Sequence, residues 1–279
     1  MNFLALNKKS SQLRIDVLKA INKAKSGHSG SCMSLIEIFV ALYYGEIGGK
    51  KIVKLDAKKP GWEDQDYVLM LKGHAAIVQY AILADLGFFE KAELDHYRQI
   101  GSFLQAYPNI KVPGVISPIS SHGYGLSVAS GLAMSLKMDR KLNKVFAILG
   151  DGELQEGQVW EAALSAAHFN LNNLILFVDN DGLQIDGPTK AVMNVEPIQT
   201  KFEAFGWKVI HVLDGHDIDQ ILDAVSRAFT SNRQPVLIWC HTIKGRGIDF
   251  AENKVWYHDA PLSDAELSEV VNKLKNSNV

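Results

Sequence analysis

The chain has 279 residues, of which 47% are hydrophobic, and its formal net charge at pH 7 is −2. This composition can fill a substantial core, and the balanced charge excludes a strongly basic nucleic-acid-binding face, so a small ligand is expected. Because the sequence shows no secretory leader, no run of roughly 18 apolar residues and only two distant cysteines, we expect a soluble cytoplasmic protein with no membrane partner.

Helical patterns dominate the first half of the chain. Apolar residues recur at helical spacing from Leu13 to Ala24, and Ser34 with Glu37 has capping-box spacing ahead of an apolar run. The Gly-, Lys- and Pro-rich stretch at 48–61 is predicted to be a surface connection. Helical patterns return at 72–86 and at 123–138. A long loop at 105–121 lies between them.

Short β-branched and apolar runs alternate with helical segments from Val145 onward. These runs are VFAIL, LILFVD, WKVIHV and PVLIWCH. The alternation predicts an α/β fold in which helices flank a parallel sheet with right-handed crossovers. Ser263 and Glu266 repeat the capping-box spacing before a closing helix that ends near Lys275. No repeat or boundary interrupts the pattern, so we expect residues 1–279 to form one domain.

The triplet Gly150-Asp151-Gly152 follows the strand VFAIL at the position where ligands bind in open parallel sheets. The glycines allow close backbone approach, the next helix offers free N–H groups to an anion, and Asp151 can hold a hard cation. An ordinary strand-to-helix turn explains the triplet as well.

A second carboxylate follows the next strand, where LILFVD ends in Asn180-Asp181-Gly182. Neighbouring parallel strands would bring Asp151 and Asp181 together, and oxygen ligands of this kind suit Mg²⁺ or Ca²⁺. The alternative is plain turn chemistry, since Asp-Gly is a common turn pair.

The segment from Gly150 to Gly187 resembles the diphosphate-binding signature of thiamine-diphosphate enzymes, and most closely that of the transketolase family. Further motifs occur in the family's order: Gly27-His28-Ser29-Gly30, Lys72-Gly73-His74, HTIKGRG from His241, and His258-Asp259-Ala260-Pro261-Leu262. The resemblance covers about Ser26 to Leu262. It implies a thiamine-diphosphate-binding α/β fold, with thiamine diphosphate and Mg²⁺, or Ca²⁺ or Mn²⁺, as cofactors.

The resemblance also implies a metal site. It assigns Asp151, Asp181 and the main-chain carbonyl of Leu183 to the metal ion. Members of the family usually carry Asn at position 181. Aspartate there should strengthen the hold on the ion and weaken the hold on the anionic diphosphate, unless a nearby cation compensates.

Other residues match family positions that contact the cofactor or the substrate. The resemblance implies that His28 faces the substrate and the reactive carbon, and that His28, His74 and His258 position groups and exchange protons. The residues it places against the cofactor are His74, His122, Gly150, Gly152, Glu153, Asp181 and His258. Each histidine, taken alone, is equally well a surface or packed imidazole.

Two glutamates after the triplet, Glu156 and Glu161, match acidic residues that link two active sites across an interface in the family. Their alternative is ordinary charge near a helix amino terminus. Lys244 and Arg246 flank a glycine and could meet an anion, although a solvated loop explains them as well.

In transketolases a second, pyrimidine-binding domain supplies the glutamate that drives proton removal from the cofactor. The resemblance therefore implies that this chain is the amino-terminal subunit of a split enzyme. Its expected partner is a separate carboxyl-terminal (pyrimidine-binding) subunit, with two copies of each chain in the assembly.

The differences from the family pattern cluster between Gln105 and Gly125. Tyr107 replaces a substrate-facing histidine, Ile116 replaces an acidic residue, and His122 replaces an apolar residue near the cofactor rings. These changes predict sugar substrates other than the ordinary ones of the family.

The first interpretation is transfer of a two-carbon ketol unit from a ketose donor to an aldose acceptor. The alternatives are decarboxylation of a 2-oxo acid with acyloin formation, and a cofactor-binding subunit without turnover.

Overall fold

A five-stranded parallel sheet lies between two layers of helices in the computed structural model, which describes residues 3–119 and 121–276. The strands are β1 (Glu46–Ile47), β2 (Lys50–Lys51), β3 (Tyr67–Met70), β4 (Val145–Gly150), β5 (Leu174–Asn180), β6 (Leu183–Gln184), β7 (Gly187–Pro188), β8 (Lys208–Val212) and β9 (Val236–His241). The order of the strands in the sheet is β3-β4-β5-β9-β8, and two small antiparallel pairs, β1-β2 and β6-β7, lie outside it.

Helices precede, follow and connect these strands. The helices are α1 (Phe3–Ala24), α2 (Ser29–Met33), α3 (Ile36–Tyr44), α4 (Ala76–Asp85), α5 (Gly125–Met138), α6 (Gly157–His168), α7 (Thr189–Val192), α8 (Ile198–Phe205), α9 (Ile218–Phe229) and α10 (Asp264–Asn276). Single 3-10 turns lie at Gly73–Ala75, Lys91–His96, Asp151–Gln155 and Val255–Asp259. Within the described ranges, no helix combines the length and the apolar character that a membrane crossing requires.

The sheet is buried on both faces, as its apolar strands predict. All six residues of β4 are buried, and they alternate between two cores. Phe146 and Ile148 pack with α1, α3, α4 and α9, whereas Val145 and Leu149 pack with α5, α6 and α8. A carboxylate at the end of such a strand is therefore held by rigid neighbours on both sides.

The predicted α/β fold is confirmed, and so are the helices of the first half and the strands after Val145. The closing capping box is also confirmed, because Ser263 N donates to Glu266 Oε2 at 2.7 Å and Glu266 N donates to Ser263 Oγ at 3.2 Å. Two predicted helices begin later than expected, since a 3-10 turn precedes α4 and α5 starts at Gly125.

The capping box predicted at Ser34 is wrong. The hydroxyl of Ser34 donates to Asp179 at 2.7 Å, and α3 begins at Ile36 without a side-chain cap. Glu37 pairs with Arg14 instead. Both side chains are buried, and buried charged or polar groups take the partners that tertiary packing provides.

A second departure concerns the strand β3, which was not predicted. Its four residues, YVLM, form an apolar run too short for periodicity to separate a strand from a helix. Because β3 is an edge strand beside β4, it places the Lys72-Gly73-His74 segment next to the end of β4.

A buried charge network joins α1 and α3 to the loop after β9. The guanidinium of Arg14 donates to both carboxylate oxygens of Glu37 at 2.6 and 2.7 Å, and its Nε donates to the carbonyl of Arg246 at 3.1 Å. His216 Nε2 accepts from the N–H of Ile243 at 2.8 Å, so its Nδ1 donates to Glu37 at 2.9 Å. The network fixes the loop that carries Lys244.

We expect the substitution Glu37→Gln to lower the free energy of unfolding at pH 7 by about 3 to 5 kcal/mol, because it leaves the buried guanidinium of Arg14 without its counter-charge. Burial alone would raise the pKa of Glu37, but Arg14 and His216 outweigh burial and lower it from 4.5 to about 2. A carboxyl with a lowered folded-state pKa stabilises the fold above its unfolded pKa, and this stabilisation is lost as the pH falls. The difference between wild type and variant in urea unfolding should therefore shrink from pH 4.5 towards pH 2.

Glu269→Gln, at an exposed position, is the matched control and should leave stability nearly unchanged at every pH. A pH-independent difference between wild type and Glu37→Gln would contradict the assigned role of the carboxylate.

Candidate active site

A cavity of about 280 Å³ opens at the carboxyl ends of β4 and β5. The register of the sheet pairs Gly150 with Asp179, so the segments that follow the two strands begin side by side. The loop after β9 and the turn after β3 close the cavity from the flanks. Its lining residues are His28, Lys72, His74, Tyr107, His122, Gly150, Asp151, Gly152, Glu153, Gln155, Glu156, Asp181, Leu183, Gln184, Ile185, Asp186, Lys244 and His258.

Asp151 is held rigidly at the floor of this cavity. Its Oδ1 accepts from Gly152 N at 2.9 Å, and its Oδ2 accepts from Gly182 N at 3.0 Å and from the hydroxyl of Thr189 at 2.9 Å. Burial, and then the charge of Asp181, raise the pKa of Asp151 to about 7. A carboxylate this reluctant to ionise is suited to a cation that would compensate its charge.

Asp181 is instead neutralised by lysines. Its Oδ1 accepts from Leu183 N at 3.0 Å, and its Oδ2 pairs with Lys244 Nζ at 2.8 Å and Lys72 Nζ at 3.2 Å. Burial would raise the pKa of Asp181, but the two lysines outweigh burial and lower it to about 2. An aspartate at this position requires a compensating cation, and both Lys72 and Lys244 provide one.

The two lysines are themselves buried, with side chains 5% and 1% exposed for Lys72 and Lys244. Lys72 also pairs with Asp179 at 2.7 Å, and the carboxylates raise its pKa against the effect of burial. Burial dominates at Lys244 and lowers its pKa despite Asp181. The positive charge of Lys244 is therefore less completely balanced by carboxylates than that of Lys72.

Imidazoles form one wall of the cavity. The ring centroids of His28 and His74 lie 4.8 Å apart, and those of His74 and His258 lie 5.5 Å apart. Burial, followed by Lys72, lowers the pKa of His74 well below its usual range. Burial likewise lowers the pKa of His28 to about 4 and that of His258 to about 3, where Lys244 adds to the effect. All three rings are neutral at pH 7, so each offers one donor and one acceptor.

The neighbours of His28 determine its tautomer. Arg98 can only donate, and its Nη2 lies 3.3 Å from His28 Nδ1, so Nδ1 is the acceptor and the proton sits on Nε2. That Nε2 lies 3.4 Å from Asp259 Oδ1. The His28 proton is therefore on the nitrogen that faces Asp259.

His122 and Glu153 form a pair at the rim. His122 Nδ1 lies 3.7 Å from Glu153 Oε2, and contact with this carboxylate raises the pKa of His122. The other oxygen of Glu153 accepts from Gly123 N at 3.0 Å. The ring of His122 also meets the ring of His74 edge to face at 5.7 Å, so it extends the imidazole wall.

The cavity fits an anionic ligand that carries a divalent cation. Two buried imidazole nitrogens on its walls lack hydrogen-bond partners in the described chain: His74 Nε2 and His258 Nδ1. Buried polar groups rarely stay unpaired, so these atoms point to a ligand. Lys72 and Lys244 can balance negative charge on that ligand, and Asp151 and Asp181 offer oxygens to a hard cation.

The structure brings together nearly all of the residues singled out in the sequence. Glu161 lies exposed on α6 and outside the cavity lining. Arg246, which pairs with Glu252, and Ile116 of the altered loop also lie outside that lining. Glu156 lines the cavity, but it precedes α6, since a 3-10 turn at Asp151–Gln155 separates the triplet from the helix. Of the altered loop, Tyr107 lines the cavity, and Ser120 lies outside the described residues.

Sequence reasoning missed the role of Lys72 and left that of Lys244 open. Both side chains are buried against Asp181 rather than solvated. The signal for Lys72 was its place directly before the Gly-His pair, which only becomes informative once β3 is recognised as a strand beside β4.

Comparison with known proteins agrees with this geometry. The family model described as "Transketolase, thiamine diphosphate binding domain" matches residues 6–277. The chain belongs to the transketolase family. The resemblance predicted from the motifs is thereby confirmed, as is the class of cofactor that this domain binds.

Two relatives of about the length of this chain are named as transketolase subunits. It is 35% identical over 271 residues to a 6-deoxy-6-sulfo-D-fructose transketolase subunit from Clostridium sp., covering 97% of this chain and 96% of that subunit. It is 33% identical over 285 residues to an apulose-4-phosphate transketolase subunit from Phocaeicola vulgatus, covering 100% of this chain and 99% of that subunit.

The transketolase structure from Campylobacter jejuni superimposes with a TM-score of 0.90 at 28% identity. The match covers 100% of this chain but only 44% of that transketolase. The fold is therefore that of one part of a longer enzyme, whereas the subunits named above have about the length of this chain.

Proposed function

We propose that this chain is the diphosphate-binding subunit of a cytoplasmic transketolase assembled from two kinds of chain, with residues 1–279 forming a single diphosphate-binding domain. The observation that supports this most directly is the cavity itself. Two carboxylates, two buried lysines and unpaired imidazole nitrogens converge where parallel strands end. The proposed reaction is transfer of a two-carbon ketol unit from a ketose to an aldose.

The floor of the cavity would hold the metal and the diphosphate. Asp151, Asp181 and the carbonyl of Leu183 would bind Mg²⁺, for which oxygen ligands are suited. Gly150 and Gly152 would let the backbone approach the diphosphate, and Lys244 and Lys72 would balance its charge. When bound, thiamine diphosphate supplies a nucleophilic carbon, which amino-acid side chains do not offer.

The imidazole wall would position and exchange protons. His74 Nε2 and His258 Nδ1 are the buried nitrogens free to contact the cofactor, and neutral rings can donate or accept there. His28 would present its Nε2–H to a substrate hydroxyl, because Arg98 holds its Nδ1 as an acceptor. Glu153 and His122 would contact the cofactor at the rim.

A second chain would complete the site. The relatives of matching length are named as subunits, and this chain does not fully enclose the cavity. The partner that we propose is a pyrimidine-binding transketolase subunit, with two copies of each chain in the assembly. Glu156 and Glu161 would lie towards this interface, and the exposure of Glu161 is compatible with that position.

The proposed substrates are ketoses other than those of ordinary transketolases. Tyr107 packs against Gly73, so closely that a Cβ on Gly73 would lie 2.8 Å from its ring, and it lines the cavity where the family has a histidine. The subunits similar to this chain are named for 6-deoxy-6-sulfo-D-fructose and for apulose-4-phosphate. Full activity of the assembled pair on xylulose 5-phosphate and ribose 5-phosphate would contradict this substrate assignment.

Calorimetry with thiamine diphosphate and Mg²⁺, on the chain alone and mixed with its partner, tests the proposed assembly. We expect tight binding and ketol transfer only in the mixture, because the chain contributes one wall of the site. Turnover by the chain alone would contradict the need for a partner. Release of carbon dioxide from a 2-oxo acid would identify a decarboxylase, and binding without any turnover in the mixture would identify a non-catalytic subunit.

A further inference from the structure

Two histidines on neighbouring strands face each other outside the cavity described above. His211 lies on β8, and His241 is the last residue of β9. Their Nε2 atoms are in direct contact, and the ring centroids lie 4.6 Å apart. Neither residue belongs to the cavity wall that carries the lysines and the other imidazoles. Two imidazoles held this close can bind one metal ion after a small rotation separates their nitrogens, because each nitrogen must lie about 2.0–2.1 Å from the ion.

The strands hold both rings in place. His211 stacks on Trp239 with a centroid distance of 4.5 Å and an interplanar angle of 13°. The ring of His241 lies 4.8 Å from the same indole, measured between centroids. Trp239 is 8% exposed, so one rigid side chain sets the positions of both imidazoles.

Asn180 provides the outer hydrogen bond that metal-binding histidines need. In the orientation that satisfies its neighbours, the amide oxygen accepts from His241 Nδ1 at 3.2 Å and from Trp239 Nε1 at 3.3 Å, while the amide nitrogen donates to Asp151 Oδ2 at 3.1 Å. This arrangement puts the proton of His241 on Nδ1. Its Nε2 therefore carries a lone pair directed at His211, as in metal sites whose ligands are oriented by a second hydrogen bond.

The charge state of the rings also favours binding. Burial lowers the pKa of His211, and burial followed by the charge of His211 lowers the pKa of His241. Both rings are therefore neutral near pH 7, as coordination requires.

We propose that His211 and His241 form a binding site for a divalent transition-metal ion of the Zn²⁺, Ni²⁺ and Cu²⁺ class. Within residues 3–119 and 121–276, no group of three or more His, Cys, Asp or Glu side chains is arranged around a metal position, so water completes the coordination. A cavity of about 230 Å³ lined by His241, Asn194 and Glu196 leaves room for that water. Imidazole ligands suit these ions, whereas the oxygen ligands at Asp151 suit Mg²⁺, so the two sites select different metals.

A direct hydrogen bond between the rings of His211 and His241 would also explain their contact. Titration with Zn²⁺ distinguishes this hydrogen bond from a metal site. The full chain, in excess Mg²⁺, is titrated with Zn²⁺ against a chromophoric chelator. We expect one Zn²⁺ per chain, and more than about tenfold weaker binding in His211→Asn and in His241→Asn, since losing a ligand should cost at least as much as losing an outer-shell partner. His211 is exposed, so His211→Asn should fold normally, which circular dichroism verifies.

Two control variants locate the site. His168→Asn removes another exposed imidazole, and His122→Asn removes one from the cofactor cavity. Both should bind Zn²⁺ as the wild type does. A paramagnetic readout adds a second test, because Cu²⁺ bound at His211 should quench the stacked Trp239 and the quenching should disappear in His211→Asn.

The proposal is overturned if the wild type binds no Zn²⁺, if His211→Asn binds it unchanged, or if His122→Asn removes it. The readouts need neither thiamine diphosphate nor a partner subunit, so their failure is distinct from failure of the proposed transketolase function.

Discussion

Substitution of Asp151 by Asn should lower the Mg²⁺-dependent affinity of the assembled enzyme for thiamine diphosphate by at least about 100-fold, or about 2.7 kcal/mol. The carboxylate lies buried at the end of β4, and burial with Asp181 raises its pKa to about 7. Such a group gains most from a divalent cation, so removing its charge removes the strongest contribution to metal binding. Calorimetry in a series of Mg²⁺ concentrations measures the loss.

The fold should tolerate this change. An amide oxygen can still accept from Gly182 N, only the bond from Gly152 N to the other carboxylate oxygen is lost, and the repulsion between positions 151 and 181 disappears. Thermal unfolding of the cofactor-free chain should therefore be no less cooperative than in the wild type. A large loss of stability would mean that a weakened fold, rather than a lost ligand, explains weaker binding.

Asp186→Asn is the matched control for Asp151→Asn, because Asp186 lines the same cavity but is exposed to solvent. Its effect on cofactor affinity should be small, since exposed charges are screened. Equal losses in both variants, or retained Mg²⁺-dependent binding in Asp151→Asn, would refute the assignment of Asp151 to the metal.

The sequence was most informative where local pattern and global fold agree. The strands after Val145 have apolar runs long enough to identify, and their order brings Asp151 and Asp181 to one edge of the sheet. The predicted grouping of His28, His74 and His258 depended on motif resemblance, because residues so far apart in the chain give no local signal of contact. Their ring distances verify the grouping.

What the sequence could not provide was the pairing of buried charges. Ser34 and Glu37 have the spacing of a helix cap. In the fold, however, Ser34 hydrogen-bonds to Asp179 and Glu37 pairs with Arg14. Similarly, nothing local distinguishes Lys244 from a solvated loop lysine. Its burial follows from the network of Arg14, Glu37 and His216 that fixes the loop around it. Such contacts depend on three-dimensional neighbours and not on spacing.

Replacing Asp181 by Asn should change stability and cofactor binding in opposite directions. Without its carboxylate, Lys244 Nζ loses the partner at 2.8 Å, whereas Lys72 keeps Asp179 at 2.7 Å. Removing one member of a buried ion pair costs about 3 kcal/mol or more, so urea unfolding of the cofactor-free chain should show this loss. The freed ammonium group can then pair with the diphosphate, and thiamine diphosphate at saturating Mg²⁺ should bind more tightly to the assembled enzyme.

The double variant Asp181→Asn with Lys244→Met provides the thermodynamic control. It removes the uncompensated cation, so most of the lost stability should return while the gain in cofactor affinity disappears. Because a ligand that binds only the folded state stabilises it more when it binds more tightly, the single variant should also gain more stability from added cofactor than the wild type does. Weaker binding of thiamine diphosphate to Asp181→Asn, with Lys244 intact, would show that Asp181 serves the cofactor mainly through the metal and does not compete with the diphosphate for the buried lysines.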